Sequence, residues 1–166
     1  MSVNLSARQL SRPDLAEAVE RVLVETGLEG SCLTLDVTET VYVKALAGNT
    51  ATLDRLRGLG ARISIDDFGI GYSSLAYLKR LPADAIKIDK SFVRGLGEDV
   101  EDTAIVQMII ELAHTLGLEV IAEGVETEEQ VELLREMGCD FAQGYHLAKP
   151  LPSEEVEQLL ADRKTF

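Results

Sequence analysis

Arg62-Ile63-Ser64-Ile65-Asp66-Asp67-Phe68-Gly69-Ile70-Gly71 joins an apolar β-like run to two adjacent carboxylates and a glycine-bearing loop. Adjacent carboxylates repel unless a cation sits between them, so a hard divalent metal is their natural partner; an isolated pair would more often cap a helix or turn. Short apolar runs of the same kind recur along the chain. They span Ser2 to Leu5, Leu33 to Val37, Arg62 to Asp66, Ala85 to Asp89, Glu119 to Ala122 and, more weakly, Asp140 to Gln143, with helical periodicity between them. Strands alternating with helices imply a parallel sheet, either open or closed into a barrel. The polar residues decide between the two. Asn4, Asp36, Asp66, Asp67, Glu123 and Gln143 lie at or just beyond the C-terminal ends of five strands, and Lys87 and Asp89 lie on a sixth. An open sheet would hold its two edges too far apart for these groups to cooperate, whereas a barrel turns every strand end to one mouth. The expected fold is therefore α/β, an incomplete TIM-type (β/α) barrel with six of its eight βα units, the missing part preceding Met1.

Bulk properties fit one soluble domain spanning residues 1–166. Hydrophobic residues make up 46% and charged residues 27% of the 166 residues, an ordinary globular balance. A formal net charge of −13 argues against binding a DNA or RNA polymer, although a small anion held through metal ions is compatible with it. Cys32 and Cys139 belong to no paired spacing, which points to a reducing compartment. No apolar run is long enough to span a membrane, so a cytosolic domain is expected, even if a longer parent were membrane-anchored.

Helix signals punctuate the chain. Ser11-Arg12-Pro13-Asp14 reads as a capping box before Leu15, Val19, Val22 and Leu23, with a stop at Gly27. Leu53, Leu56 and Leu59 line another helix. Ile105, Met108, Ile109, Leu112 and Leu116 form the clearest apolar stripe, ending at Gly117. Thr127-Glu128-Glu129-Gln130 is a second capping box, before Val131, Leu134 and Met137, and Ser153 caps a last helix through Val156, Leu159 and Leu160.

Several residues carry chemistry. Lys87 interrupts a run of isoleucines, and a buried ammonium needs carboxylates or a phosphate beside it, with a structural pair to Asp89 as the plainer reading. Glu123 ends an apolar strand as a metal ligand or general base. Glu39 reads equally as a mouth residue or as a loop residue with local hydrogen bonds. Gly69 and Gly71 read as hinges of a mobile loop; the third glycine of a dinucleotide fingerprint is missing. His114 and His146 lack a partner histidine. Tyr72, Tyr77 and Tyr145 read as core or rim residues, Tyr145 with a face free to stack on a base.

Asn4-Leu5-Ser6, Asp36-Val37-Thr38-Glu39, Asp66-Asp67-Phe68-Gly69-Ile70-Gly71-Tyr72-Ser73-Ser74-Leu75, Lys87-Ile88-Asp89, Glu123-Gly124-Val125-Glu126 and Gln143-Gly144-Tyr145 together resemble the EAL-domain family over nearly the whole chain, as its C-terminal two-thirds. The resemblance implies a bacterial signalling phosphodiesterase that opens cyclic di-GMP to linear pGpG with two Mg2+ or Mn2+ ions. It implies Asn4, Asp36, Asp66 and Glu123 as metal ligands, Asp67 on the second metal, Lys87 orienting the attacking water, and Gln143 holding water or substrate. Glu39 and Glu126 would be supports, with Glu39 steadying the loop after Asp66-Asp67. Three departures lower the expected turnover. The opening Glu-Ala-Leu segment is absent, Asp36 stands where the family usually has glutamate, and Ile70 replaces a threonine. A catalytically inactive cyclic di-GMP-binding module is the alternative, and an enolase-type barrel ranks below both. An unclosed barrel would leave bare edges and an exposed apolar interior, so the chain is expected to dimerise, swap elements or take a partner segment.

Overall fold

The computed structural model describes residues 1–48, 50–71 and 83–161. The strands are β1 (Ser2–Asn4), β2 (Thr34–Thr38), β3 (Arg62–Phe68), β4 (Ala85–Ile88), β5 (Glu119–Glu123) and β6 (Phe141–Gln143). They pair in sequence order, every neighbour parallel. The helices are α1 (Ala7–Leu10), α2 (Leu15–Thr26), α3 (Glu39–Gly48), α4 (Ala51–Gly58), α5 (Lys90–Arg94), α6 (Val100–Thr115), α7 (Glu128–Glu136) and α8 (Ser153–Ala161). Strand–helix alternation with unbroken parallel order is an incomplete (β/α) barrel, as expected from the polar residues at the strand ends.

Strand alternation separates two faces. Leu35, Val37, Ile63, Ile65, Ile86, Ile88, Val120 and Ala122 point toward the helices and are buried there with Leu53, Leu56, Ile109, Ile110 and Leu134. The register aligns Ser2, Thr34, Arg62 and Asn4, Asp36, Ser64 on the concave face, and Lys87, Glu119, Glu123 and Gln143 continue it. That face is polar, with Ala85, Ile121 and Phe141 as its apolar members. The expectation of an exposed apolar interior is therefore corrected: the core lies between sheet and helices, and ion pairs such as Arg62–Glu119 line the concave side.

Two local readings change. Ser11 caps nothing ahead of it; its hydroxyl donates to the Ala7 carbonyl at the end of α1, which is opened by a capping box of Ser6 and Gln9. Helix α2 begins after Asp14, whose carboxylate is held by Arg12. In α6 the buried face is Val106, Ile109, Ile110 and Ala113, and Met108 is 57% exposed. The Thr127–Gln130 box is present as read, and Gly27 and Gly117 turn the chain in left-handed conformation after α2 and α6. Tyr72, Tyr77, Ser73, Ser74 and Leu75 lie outside the described residues, as do the side chains of Leu159 and Leu160.

Candidate active site

The acidic strand ends meet at Lys87. Its Nζ lies 2.5 Å from Glu123 Oε1, 3.1 Å from Asp36 Oδ2 and 3.3 Å from Asp66 Oδ1, with the lysine side chain only 8% exposed. Four neighbouring strands, β2 to β5, thus deliver one charged group each to a single point at the barrel mouth. Ser2 adds a hydroxyl that donates to Asp36 Oδ2 at 2.7 Å. The other Asp36 oxygen, Oδ1, is buried with no hydrogen-bond partner.

A β-bulge sets the Asp66-Asp67 pair. Ile65 pairs with Ile86 and Phe68 with Ile88, so β3 has one more residue than β4 over that span. Asp67 absorbs the extra residue at φ 55°, and its amide donates to Asp66 Oδ1. Without the bulge, alternation would aim Asp67 into the core; with it, Phe68 returns to the core and both carboxylates stay at the rim.

Electrostatics follow from burial and crowding. Burial alone would depress the Lys87 ammonium, but the Glu123 hydrogen bond and the charges of Glu123, Asp36 and Asp66 reverse this and hold it above the ordinary lysine range. Burial raises the Glu123 carboxyl above its usual value, with Asp66 and Asp36 adding to the effect against the pull of Lys87. Asp67 is raised as well, first by burial and then by Asp66 and Asp89. Three carboxylates around one ammonium leave the ring a formal charge of −2.

The remaining expected residues fall in two groups. Glu39 is buried at the start of α3, where its Oε2 accepts from the Gly69 amide at 3.2 Å. That bond crosses the chain, so the reading of Glu39 as making local bonds is corrected. A Cβ on Gly71 would lie 2.7 Å from Glu39 Oε1, so a larger residue there has to displace this carboxylate. Asp89 does not pair with Lys87; it caps α5, accepting from the Ser91 amide and hydroxyl. Asn4 is exposed on the edge strand β1 beside Asp36 in register. Glu123, Glu126, Gln143 and Tyr145 line one open cleft of about 280 Å³, together with Lys90 and Arg94. His146 pairs with Glu128 and His114 with Asp140.

Sequence reading passed over Ser2, Lys90 and Arg94. Ser2 could have been found from its alternation with Asn4, and the two cations from their spacing of one helical turn directly after Ile88-Asp89.

The donor set fits a hard divalent ion: oxygen ligands, excess negative charge and one buried uncommitted carboxylate oxygen. As they stand, no three His, Cys, Asp or Glu side chains among the described residues are arranged to hold a metal ion; the point on which three of them converge carries the Lys87 ammonium.

A parallel (β/α) half-barrel with an acid–lysine ring at its C-terminal rim defines a barrel-type domain with an enzyme-like centre. The chain belongs to the EAL-domain family, whose profile matches residues 1–150. The bifunctional diguanylate cyclase/cyclic di-GMP phosphodiesterase MucR of Pseudomonas aeruginosa is 46% identical over 156 residues, covering 94% of this chain and 23% of MucR. Cyclic di-GMP phosphodiesterase NbdA of the same organism is 45% identical over 160 residues, 96% of this chain and 20% of NbdA. The chain thus spans less than a quarter of the length of either relative. The solved MucR phosphodiesterase complex with cyclic di-GMP superposes with a TM-score of 0.88 at 46% identity, over 93% of this chain and 63% of that one. A manganese/cyclic di-GMP complex of Klebsiella pneumoniae BlrP1 gives 0.80 at 34% identity, over 87% and 37%.

Proposed function

We propose that this chain is a cyclic di-GMP phosphodiesterase domain, acting with Mg2+ or Mn2+ to yield linear pGpG. The observation that carries this reading is the convergence of Asp36, Asp66 and Glu123 on buried Lys87 at the barrel mouth, beside a bulge that keeps Asp67 at the same rim. Relatives named as cyclic di-GMP phosphodiesterases share 45–46% of its residues, and a related domain is solved with manganese and the dinucleotide.

In this reading Asn4, Asp36, Asp66, Asp67 and Glu123 hold the ions. A divalent ion bound there supplies positive charge that neutralises the phosphodiester and favours attack at phosphorus. The chain's own residues do the rest. Lys87 offers a fixed positive charge and N–H donors that orient water against the phosphorus. Gln143 holds the water or substrate network, and Tyr145, 64% exposed at the cleft edge, stacks on a base. Glu39 holds the Gly69 amide and so the backbone that follows Asp67; Glu126 supports the cleft from the β5 side. Water adds to phosphorus, the bond from phosphorus to the 3′ oxygen breaks, and a proton from water ends on that oxygen. A cytosolic setting suits this reading, since Cys32 and Cys139 belong to no paired spacing.

The test is incubation of the chain with cyclic di-GMP and Mg2+ or Mn2+, following pGpG by chromatography and binding by calorimetry. Product that disappears in Asp66→Ala supports the proposal. Tight binding without product would instead assign a receptor-like module, and neither binding nor product would overturn both.

A further inference from the structure

Lys87 stands among the carboxylates that would hold a divalent ion. Three carboxylates on three strands approach its Nζ at 2.5, 3.1 and 3.3 Å. Mg2+ takes oxygen ligands at about 2.0–2.1 Å in a near-octahedral shell. An ammonium and such an ion cannot both occupy the point on which the same oxygens converge, and two cations a few ångströms apart in a poorly solvated ring repel strongly. The strand that carries it is fixed: Lys87 is buried on β4, with Ile86 and Ile88 packed into the core on either side. One ring oxygen, Asp36 Oδ1, is buried and uncommitted, so the ring has acceptor capacity its ammonium does not use.

We propose that Lys87 is the built-in counter-cation of the ring, holding Asp36, Asp66 and Glu123 together in the ion-free protein and competing with a divalent ion for them. Ion binding then obliges the ammonium to give up part of its contacts, and Lys87 sets the ion affinity of the site. The inference rests on the reading of this ring as a divalent-ion centre. It differs from a water-orienting role in its sign: a lysine that only orients water leaves ion affinity unchanged when removed, whereas a competing counter-cation weakens it while present.

Lys87→Met keeps an unbranched apolar stem and removes the charge. With the full chain, melting in EDTA and Mn2+ calorimetry read the two consequences without any turnover measurement. The variant should melt lower than the wild type in EDTA, gain more from Mn2+, and bind Mn2+ about tenfold or more tightly, since a like charge has left the ring. Equal or weaker Mn2+ affinity in a folded variant overturns the inference. If the variant does not fold, the wild type answers through the side-chain ammonium resonance of Lys87 in nitrogen-15-labelled protein, assigned by its loss in Lys87→Arg. That resonance should persist in EDTA and shift during a Mg2+ titration. An unmoved resonance while calorimetry records Mg2+ binding overturns it. Should neither protein bind Mn2+ or Mg2+, the divalent-centre reading falls and the inference with it; ion bound equally by both sinks the inference alone.

Discussion

Asp67 adopts a left-handed φ of 55° inside a strand, a conformation that asparagine and aspartate tolerate and β-branched residues do not. The strain is the cost of keeping a second carboxylate at the rim, and burial raises that carboxylate before Asp66 and Asp89 raise it further. A raised folded-state value means that the native protein binds this proton more tightly than the unfolded chain does. The stability it contributes is present below the ordinary carboxyl range and is lost as pH rises through the raised value. In EDTA, Asp67→Asn should therefore be more stable than the wild type at about pH 7 and indistinguishable from it at about pH 3, read by urea unfolding. A gain that persists in acid would assign the effect to backbone relief and not to charge. Gly71 makes the complementary case. A methyl group there meets the Glu39 carboxylate, so Gly71→Ala should cost about 1–3 kcal/mol by overpacking. Because Glu39 also holds the Gly69 amide, the same change should lower pGpG formation; full turnover at reduced stability would separate Glu39 from the site.

The start of α7 shows how much a local motif can report. Thr127 and Gln130 cap it reciprocally, and Gln130 also accepts from the Glu126 amide and donates to the Val93 carbonyl at the end of α5. Thr127→Ala removes one cap and should cost about 1 kcal/mol. Gln130→Ala strands several buried backbone groups and should cost more, about 2–3 kcal/mol, with denaturant midpoints ranking the two; the reverse order would mean that the link to α5 carries little. The Thr127–Gln130 box was legible in the sequence because both partners lie within one turn. All six strands were legible for a related reason, since each is an apolar run bounded by turn residues. The link from Gln130 to Val93 was not, because it joins elements 37 residues apart. The bulge at Asp66-Asp67 was invisible too: it exists only relative to β4, and a single strand shows no sign of the residue it has in excess. Ser11 was misread because Ser-Arg-Pro-Asp satisfies a capping pattern, while the nearer Ser6–Gln9 pair captures a short helix first. In α6, apolar residues on more than one face let the stripe drift, and contact with the sheet selected Val106 and Ile110 over Met108. Of the candidate site, Lys87 and its three acids were legible because a charge inside an isoleucine run demands partners. For Glu39 the residues alone left a mouth and a loop reading open, and only the resemblance pointed to the backbone after Asp67 that it holds at Gly69.

A partial barrel can hold together because its hydrophobic core is not inside the barrel. The sheet buries its apolar side against the helices, and the concave side is laid with polar groups and the Arg62–Glu119 ion pair, which water can wet. What remains exposed is the two edges. Edge β1 presents Met1 and Val3, the latter 42% exposed, and edge β6 presents Phe141 at 52% and Tyr145 beyond it. Unpaired backbone beside exposed apolar side chains favours association through the edges, either with a second copy or with a further segment that continues the barrel. Opposing this is a net charge of −13 on each chain. At low ionic strength two such chains repel over tens of ångströms, whereas at about 0.15 M salt the screening length falls to about 8 Å and the short-range edge contacts prevail. The mass measured by light scattering should therefore rise with salt and with protein concentration, and Phe141→Lys on the exposed edge should abolish the rise while leaving the far-ultraviolet dichroism intact. A chain that stays monomeric at every ionic strength would show that edges of three residues, wetted on their concave side, are too short to recruit a partner.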